Sequence, residues 1–143
     1  MSTASKGARR HRADGFSEEA ASHDLQTSII VLRAALPDVL GVLVASVDGL
    51  PLAYDVGDDD PAGIAAMAAT AAGLGRRLVE GFGFGEFAEN VVRAKHGYFV
   101  VYGAGPVAVL AVTASAGANL GRLHLEARRC AVTIARALEK RPR

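Results

Sequence analysis

Residues 58–82 read DDDPAGIAAMAATAAGLGRRLVEGF, and the layout of the chain follows from what this stretch can bury. The triplet Asp58-Asp59-Asp60 before Pro61 is a helix start. Carboxylates complement the positive end of a helix dipole, and proline in the first turn gives up an N–H that has no partner there. Larger side chains then recur at Ile64, Met67, Ala71, Leu74 and Leu78, alternately three and four residues apart. That is the seam of a helix lying along another helix. Ala65, Ala66, Ala68, Ala69 and Ala72 keep most of the remaining circumference small and apolar, as in a helix buried on more than one side. A sheet can cover one side. The other needs a partner.

Upstream, Gly41 to Val47 and Leu52 to Val56 are two apolar strand runs joined through Asp48-Gly49, a hairpin signal because glycine supplies positive φ cheaply. Pro51 has no N–H for a ladder, which places the second strand at a sheet edge. Before them, Leu25, Ile29, Leu32 and Leu36 mark one face of a first helix that ends at Pro37. Its start is expected at Ser17, an N-cap followed by Glu18 and Glu19. Residues 1–16 are polar, basic and aperiodic and read as a disordered arm.

Downstream, Gly81-Phe82-Gly83-Phe84-Gly85 ends the long helix. Phe87–Lys95, Tyr98–Tyr102 and Val107–Thr113 form a three-stranded meander with turns at Lys95-His96-Gly97 and Gly103 to Pro106. The first of these strands alternates Glu89, Val91, Arg93 and Lys95 with Ala88, Asn90, Val92 and Ala94, so it is half exposed. The last is almost wholly apolar and therefore central. A final helix from about Ala118 has Leu120, Leu123, Ala127, Cys130, Ile134 and Leu138 on its buried side, with Arg122, Arg129 and Arg136 on the wet one. The domain thus spans residues 17–139, with a basic tail at 140–143.

Composition bounds the rest. With 143 residues, half of them hydrophobic and only 6% aromatic, the chain has room for one domain whose core depends on close backbone approach. The net charge of +1 hides basic ends around a moderately acidic middle, and the arms read as solvated. Cys130 is the only cysteine, so no internal disulfide forms, in keeping with a reducing cytoplasm. No apolar run is long enough to span a bilayer.

Several chemistries lack their signatures. Gly81, Gly83 and Gly85 follow a helix and precede a strand, the wrong end of the dipole for a phosphate, and no Gly-Lys-Ser/Thr occurs. The aspartates before Pro61 lack the alternating ligands and terminal Glu of a calcium loop. His11, His23, His96 and His124 are scattered without zinc-ligand spacing. No Gly-x-Ser-x-Gly elbow is present, and Cys130 falls in a helical core pattern. Arg76, Arg77, Arg93 and Lys95 lack the interleaved aromatics of a nucleic-acid surface. No enzyme, cofactor or metal site is expected.

The order helix, hairpin, long helix, meander, helix, together with Val44-Ala-Ser-Val-Asp-Gly-Leu-Pro-Leu52, the alanine-rich second helix and Leu123-His-Leu-Glu-Ala-Arg-Arg129, resembles the roadblock (dynein light-chain) family. The resemblance covers about Leu25 to Leu138. It implies an α+β, profilin-like fold of order α-β-β-α-β-β-β-α: a five-stranded antiparallel sheet with the long helix on one face and both terminal helices on the other. It also implies homodimers formed by edge pairing of third strands and packing of second helices. The residues agree, since the apolar seam wants a helix and the strand Phe87–Lys95 is otherwise an unprotected edge. The expected interface comprises Ile64, Met67, Ala68, Ala71, Leu74, Leu78, Glu89, Val91 and Arg93, with Arg76 and Arg77 placed to touch a further partner.

Family members regulate or scaffold small GTPases, so the implied role is a cytoplasmic, non-enzymatic adaptor of a Ras-like GTPase, some bacterial relatives also accompanying a sensor-kinase-like protein. The alternative is a small-ligand sensor of the PAS or GAF kind. A sensor needs a concave pocket, and an alanine-rich helix lying flat on its sheet leaves little room for one.

Overall fold

Leu25, Ile29 and Leu32 are buried, as is Leu36 just past the helix end, and they seat the first helix, α1 (Ser2–Ala35), on one face of the sheet. The computed structural model describes residues 2–139, and side chains from Glu19 to Glu139. The start expected at Ser17 is not there, because α1 runs through that position unbroken. No proline interrupts residues 2–35, and the alanines, arginines and glutamates of that stretch favour helix. The side chains of the expected arm, 1–16, and the residues of the tail, 140–143, lie outside those described.

The chain continues as β1 (Val39–Ser46), β2 (Pro51–Asp55), α2 (Pro61–Phe82), β3 (Glu89–Ala94), β4 (Gly97–Ala104), β5 (Ala108–Ser115) and α3 (Leu120–Glu139). All strand pairs are antiparallel, in the order β2-β1-β5-β4-β3. The apolar β5 is central as expected, and Pro51 lies on the edge strand β2, where its missing N–H costs no ladder bond. At the β1–β2 turn Gly49 has φ of 92°, the left-handed geometry the Asp-Gly pair foretold.

Alternation along the strands divides the core in two. Val42, Val44, Val100, Tyr102, Leu110 and Val112 point to α1 and α3, where they meet Ile29, Leu123, Ala127 and Ile134. Leu43, Ala45, Val101, Val109 and Ala111 point to α2 and meet Ala65, Ala68 and Ala72. The first face carries large side chains from both partners; the second is thin because the helix offers only methyl groups. This is the architecture implied by the resemblance: five antiparallel strands, the long helix on one face, the terminal helices on the other.

Candidate interaction surface

The orientation of α2 is fixed at its start. Asp60 caps the helix, its carboxylate accepting from the backbone N–H of Ala62 at 3.1 Å and of Gly63 at 3.2 Å. Gly83, with φ of 67°, closes the other end, so the glycine cluster is a helix exit. Between these caps Ala65, Ala68, Ala72 and Gly75 are the buried positions. Small residues let the helix backbone approach the sheet closely. Gly75 leaves room for the Phe87 ring, since a Cβ there would lie 2.4 Å from it and the ring would have to shift. Phe87 is packed into the α2 layer instead of continuing the meander. For that reason β3 begins at Glu89 and not at Phe87.

With its small side turned to the sheet, α2 turns its large side outward. Met67, Leu74 and Leu78 are 59%, 57% and 51% exposed, while Ile64 and Ala71 are half-buried against the α2 layer. Ala68 departs from the expected interface. It is fully buried against the sheet, because it falls on the Ala65/Ala72 stripe and not on the Met67/Leu74 stripe. The apolar ridge reaches the helix end at Phe82 and passes it at Phe84, both exposed and stacked with ring centroids 5.4 Å apart.

β3 borders this ridge as the free edge of the sheet. Asn90 donates a side-chain hydrogen bond of 3.0 Å to the carbonyl of Ala71, tying the edge strand to the middle of α2. Even-numbered β3 residues therefore face α2, and Val92 is exposed there. Glu89, Val91 and Arg93 face the opposite way, towards α3: Glu89 is ion-paired with Arg128 of that helix. Val92, Phe82 and Phe84 add exposed apolar surface on the α2 side beyond the residues expected there, and the strand alternation and the aromatic pair carry that signal in the sequence. Which side of β3 carries α2 was the missing fact.

Arg76 and Arg77 differ in what they have left to offer. The Arg76 guanidinium lies over the Phe87 ring, 5.9 Å from its centre, whereas Arg77 is exposed. Cys130 is buried, and burial pushes its thiol up to about 11. That environment suppresses the nucleophilic thiolate. His124 and the Tyr102 hydroxyl are 2.7 Å apart, a structural pair within the α1/α3 layer. Burial is the largest cause raising the Tyr102 phenol, followed by the nearby Glu89 carboxylate. Among the described residues no three His, Cys, Asp or Glu side chains converge as metal ligands, and no helix is long and apolar enough to cross a membrane.

The sequence model of the Roadblock/LC7 domain matches residues 25–114, from the buried face of α1 to the end of β5. The chain belongs to the Roadblock/LC7 family. Solved structures share the fold over a larger part of the chain. A Roadblock/LC7 domain from Streptomyces avermitilis is 26% identical with a TM-score of 0.75, over 80% of this roadblock chain and 98% of that one. An MglB described with a tetrameric arrangement is 21% identical, TM-score 0.78, over 86% and 93% of the two chains. The gliding protein MglB of Thermus thermophilus is 21% identical, TM-score 0.74, over 85% and 93%. No curated protein matches the chain.

Proposed function

We propose that this roadblock protein is a non-enzymatic, cytoplasmic homodimer that serves as adaptor and regulator of a Ras-like small GTPase. The observation that carries the reading is the inversion of α2, whose small residues face its own sheet while Met67, Leu74 and Leu78 face away. A helix of this composition gains little by burying its alanines and leaves its larger apolar area for a second surface. The ridge adjoins a free strand edge, so one copy can satisfy another by helix packing and β-pairing together. Membership of the roadblock family points to the GTPase. The chain lacks the Gly-Lys-Ser/Thr loop of a nucleotide switch, which makes it the partner and not the switch. Arg76 and Arg77 are the proposed contacts with that partner, Arg77 being the exposed one, and a sensor-kinase-like protein is a further candidate in the same assembly.

The proposed domain comprises residues 17–139, with a basic arm at 1–16, into which α1 continues, and a basic tail at 140–143. The sensor alternative gains no support from the α2 layer, where Ala65, Ala68 and Ala72 are closed onto the sheet.

The test has two parts. Sedimentation of the purified full chain at micromolar concentration should give a dimer. Immobilised chain should then retain a Ras-like GTPase encoded beside it, loaded with GDP or with a non-hydrolysable GTP analogue. A monomer throughout sinks the self-association, and a dimer that retains the GTPase in neither nucleotide state sinks the regulatory role.

A further inference from the structure

Glu89 occupies an unusual position for a charged residue on a free sheet edge. Its side chain is only 14% exposed. One carboxylate oxygen accepts from Arg128, and the other, Oε2, is shut from solvent without a hydrogen-bond partner among the described residues. A buried carboxyl group with one oxygen unpartnered is costly to leave so. Four residues along the same strand, Arg93 is exposed, and no carboxylate pairs with it among the described residues.

Strand geometry brings these two groups together once a second copy is added, which rests on the proposed β3 pairing. Two copies whose α2 helices pack together must carry both helices on the same face of the joined sheet. Only a twofold axis perpendicular to the sheet does this, and it makes the two β3 strands antiparallel. In an antiparallel ladder directly opposed residues point to the same face. The faces of β3 are known: Glu89 pairs with Arg128 of α3, and Asn90 with the Ala71 carbonyl of α2. Glu89 opposes Tyr102 of the α3-side core and Asn90 opposes Val101 of the α2-side core, as the same rule requires. Across the interface Glu89 can therefore face only Val91, Arg93 or another residue of its own parity.

The register centred on Val91 keeps Glu89 to Arg93 of both copies within the strand and sets Glu89 opposite Arg93 at both ends of the ladder. Centring on Val92 would set Glu89 against Lys95, which lies beyond the end of β3. Centring on Asn90 would set it against Val91, leave Arg93 outside the ladder and shorten the pairing.

We infer that Glu89 and Arg93 form two symmetry-related ion pairs between copies of this chain, with Arg128 holding the Glu89 carboxylate in place, and that these pairs select the β3–β3 register. Opposite charges directly across a ladder favour one pairing, and like charges in the same place disfavour it.

The experiment uses full-length chains. Glu89→Lys alone sets Lys against Arg93 twice in each homodimer, and Arg93→Glu alone sets Glu against Glu89 twice. Each should raise the dissociation constant measured by sedimentation roughly tenfold or more. An equimolar mixture of the two variants has opposite charges at both sites and should form heterodimers with affinity near that of the wild type. Where Glu89→Lys folds poorly, Arg93→Glu carries the test, since adding Glu89→Gln to it removes the repulsion and should restore association in part. A mixture that associates no better than its components overturns the inference, as does rescue by Lys95→Glu in place of Arg93→Glu. A wild-type chain that is monomeric removes the β3 pairing itself, so the two failures are told apart.

Discussion

Leu74 offers the sharpest perturbation of the outward ridge. In the single chain it is 57% exposed, so its side chain contributes modestly to the fold and has more than half of its surface still to bury. Complete burial of a leucine is worth about 1.5–3 kcal/mol, which leaves roughly 1–1.5 kcal/mol per copy for association. A twofold interface uses the residue twice, giving about 2–3 kcal/mol per dimer. Leu74→Asp removes this gain and sets a carboxylate from each copy into the contact. The dimer dissociation constant should therefore rise by roughly 30- to 150-fold, at 1.4 kcal/mol per factor of ten, and further if the carboxylates are desolvated. The assay is equilibrium sedimentation across a concentration series, with thermal unfolding measured on the same samples. Below the wild-type dissociation constant the two chains should melt alike. Above it the wild type should gain stability with concentration and the variant should not. A variant that dimerises like the wild type refutes the reasoning, and so does one that unfolds as a dilute monomer, since Leu74 would then belong to the chain's own core.

Two further predictions concern the fold that presents this surface. Gly75→Ala ordinarily favours a helix by about 1 kcal/mol, but here the new methyl would meet three atoms of the Phe87 ring, at 2.4, 2.9 and 3.2 Å. Overpacking of this kind costs about 1–3 kcal/mol, so denaturant melts should show net destabilisation, and a stabilised variant would mean that Phe87 moves freely. Burial raises the Cys130 thiol from its ordinary 9.0 to about 11, and the sign follows from proton binding. Between these values the unfolded chain loses its thiol proton while the folded chain keeps it. This contribution is intact below pH 9 and is lost as pH rises towards 11. Cys130→Ala should flatten that part of the alkaline stability curve, and in the wild type a thiol reagent at pH 8 should label Cys130 at the rate of unfolding. Rapid labelling of the native protein would contradict its burial.

The reading of α2 shows where local rules suffice. Its start at Asp60-Pro61, its exit at the glycines and its division into a small and a large stripe are written in neighbouring residues, because capping and helical periodicity act within a few turns. The same holds for the hairpin at Gly49 and for the edge position implied by Pro51. Ala68, expected at the interface, is instead buried against the sheet, because alanines surround much of the helix and apolar character alone does not distinguish the sheet side from the outer side. Only the packed sheet does so, through contacts with Leu43, Val101 and Val109.

By itself, then, the sequence determined the order of elements, the family and the presence of an apolar surplus on the second helix, since each depends on spacing along the chain. The tertiary structure decided which side of β3 meets α2, that Phe87 leaves the strand to pack against Gly75, and that Glu89 turns to Arg128. Those outcomes join residues distant in sequence. They are settled by which face of the sheet each helix occupies, a choice that no local pattern encodes.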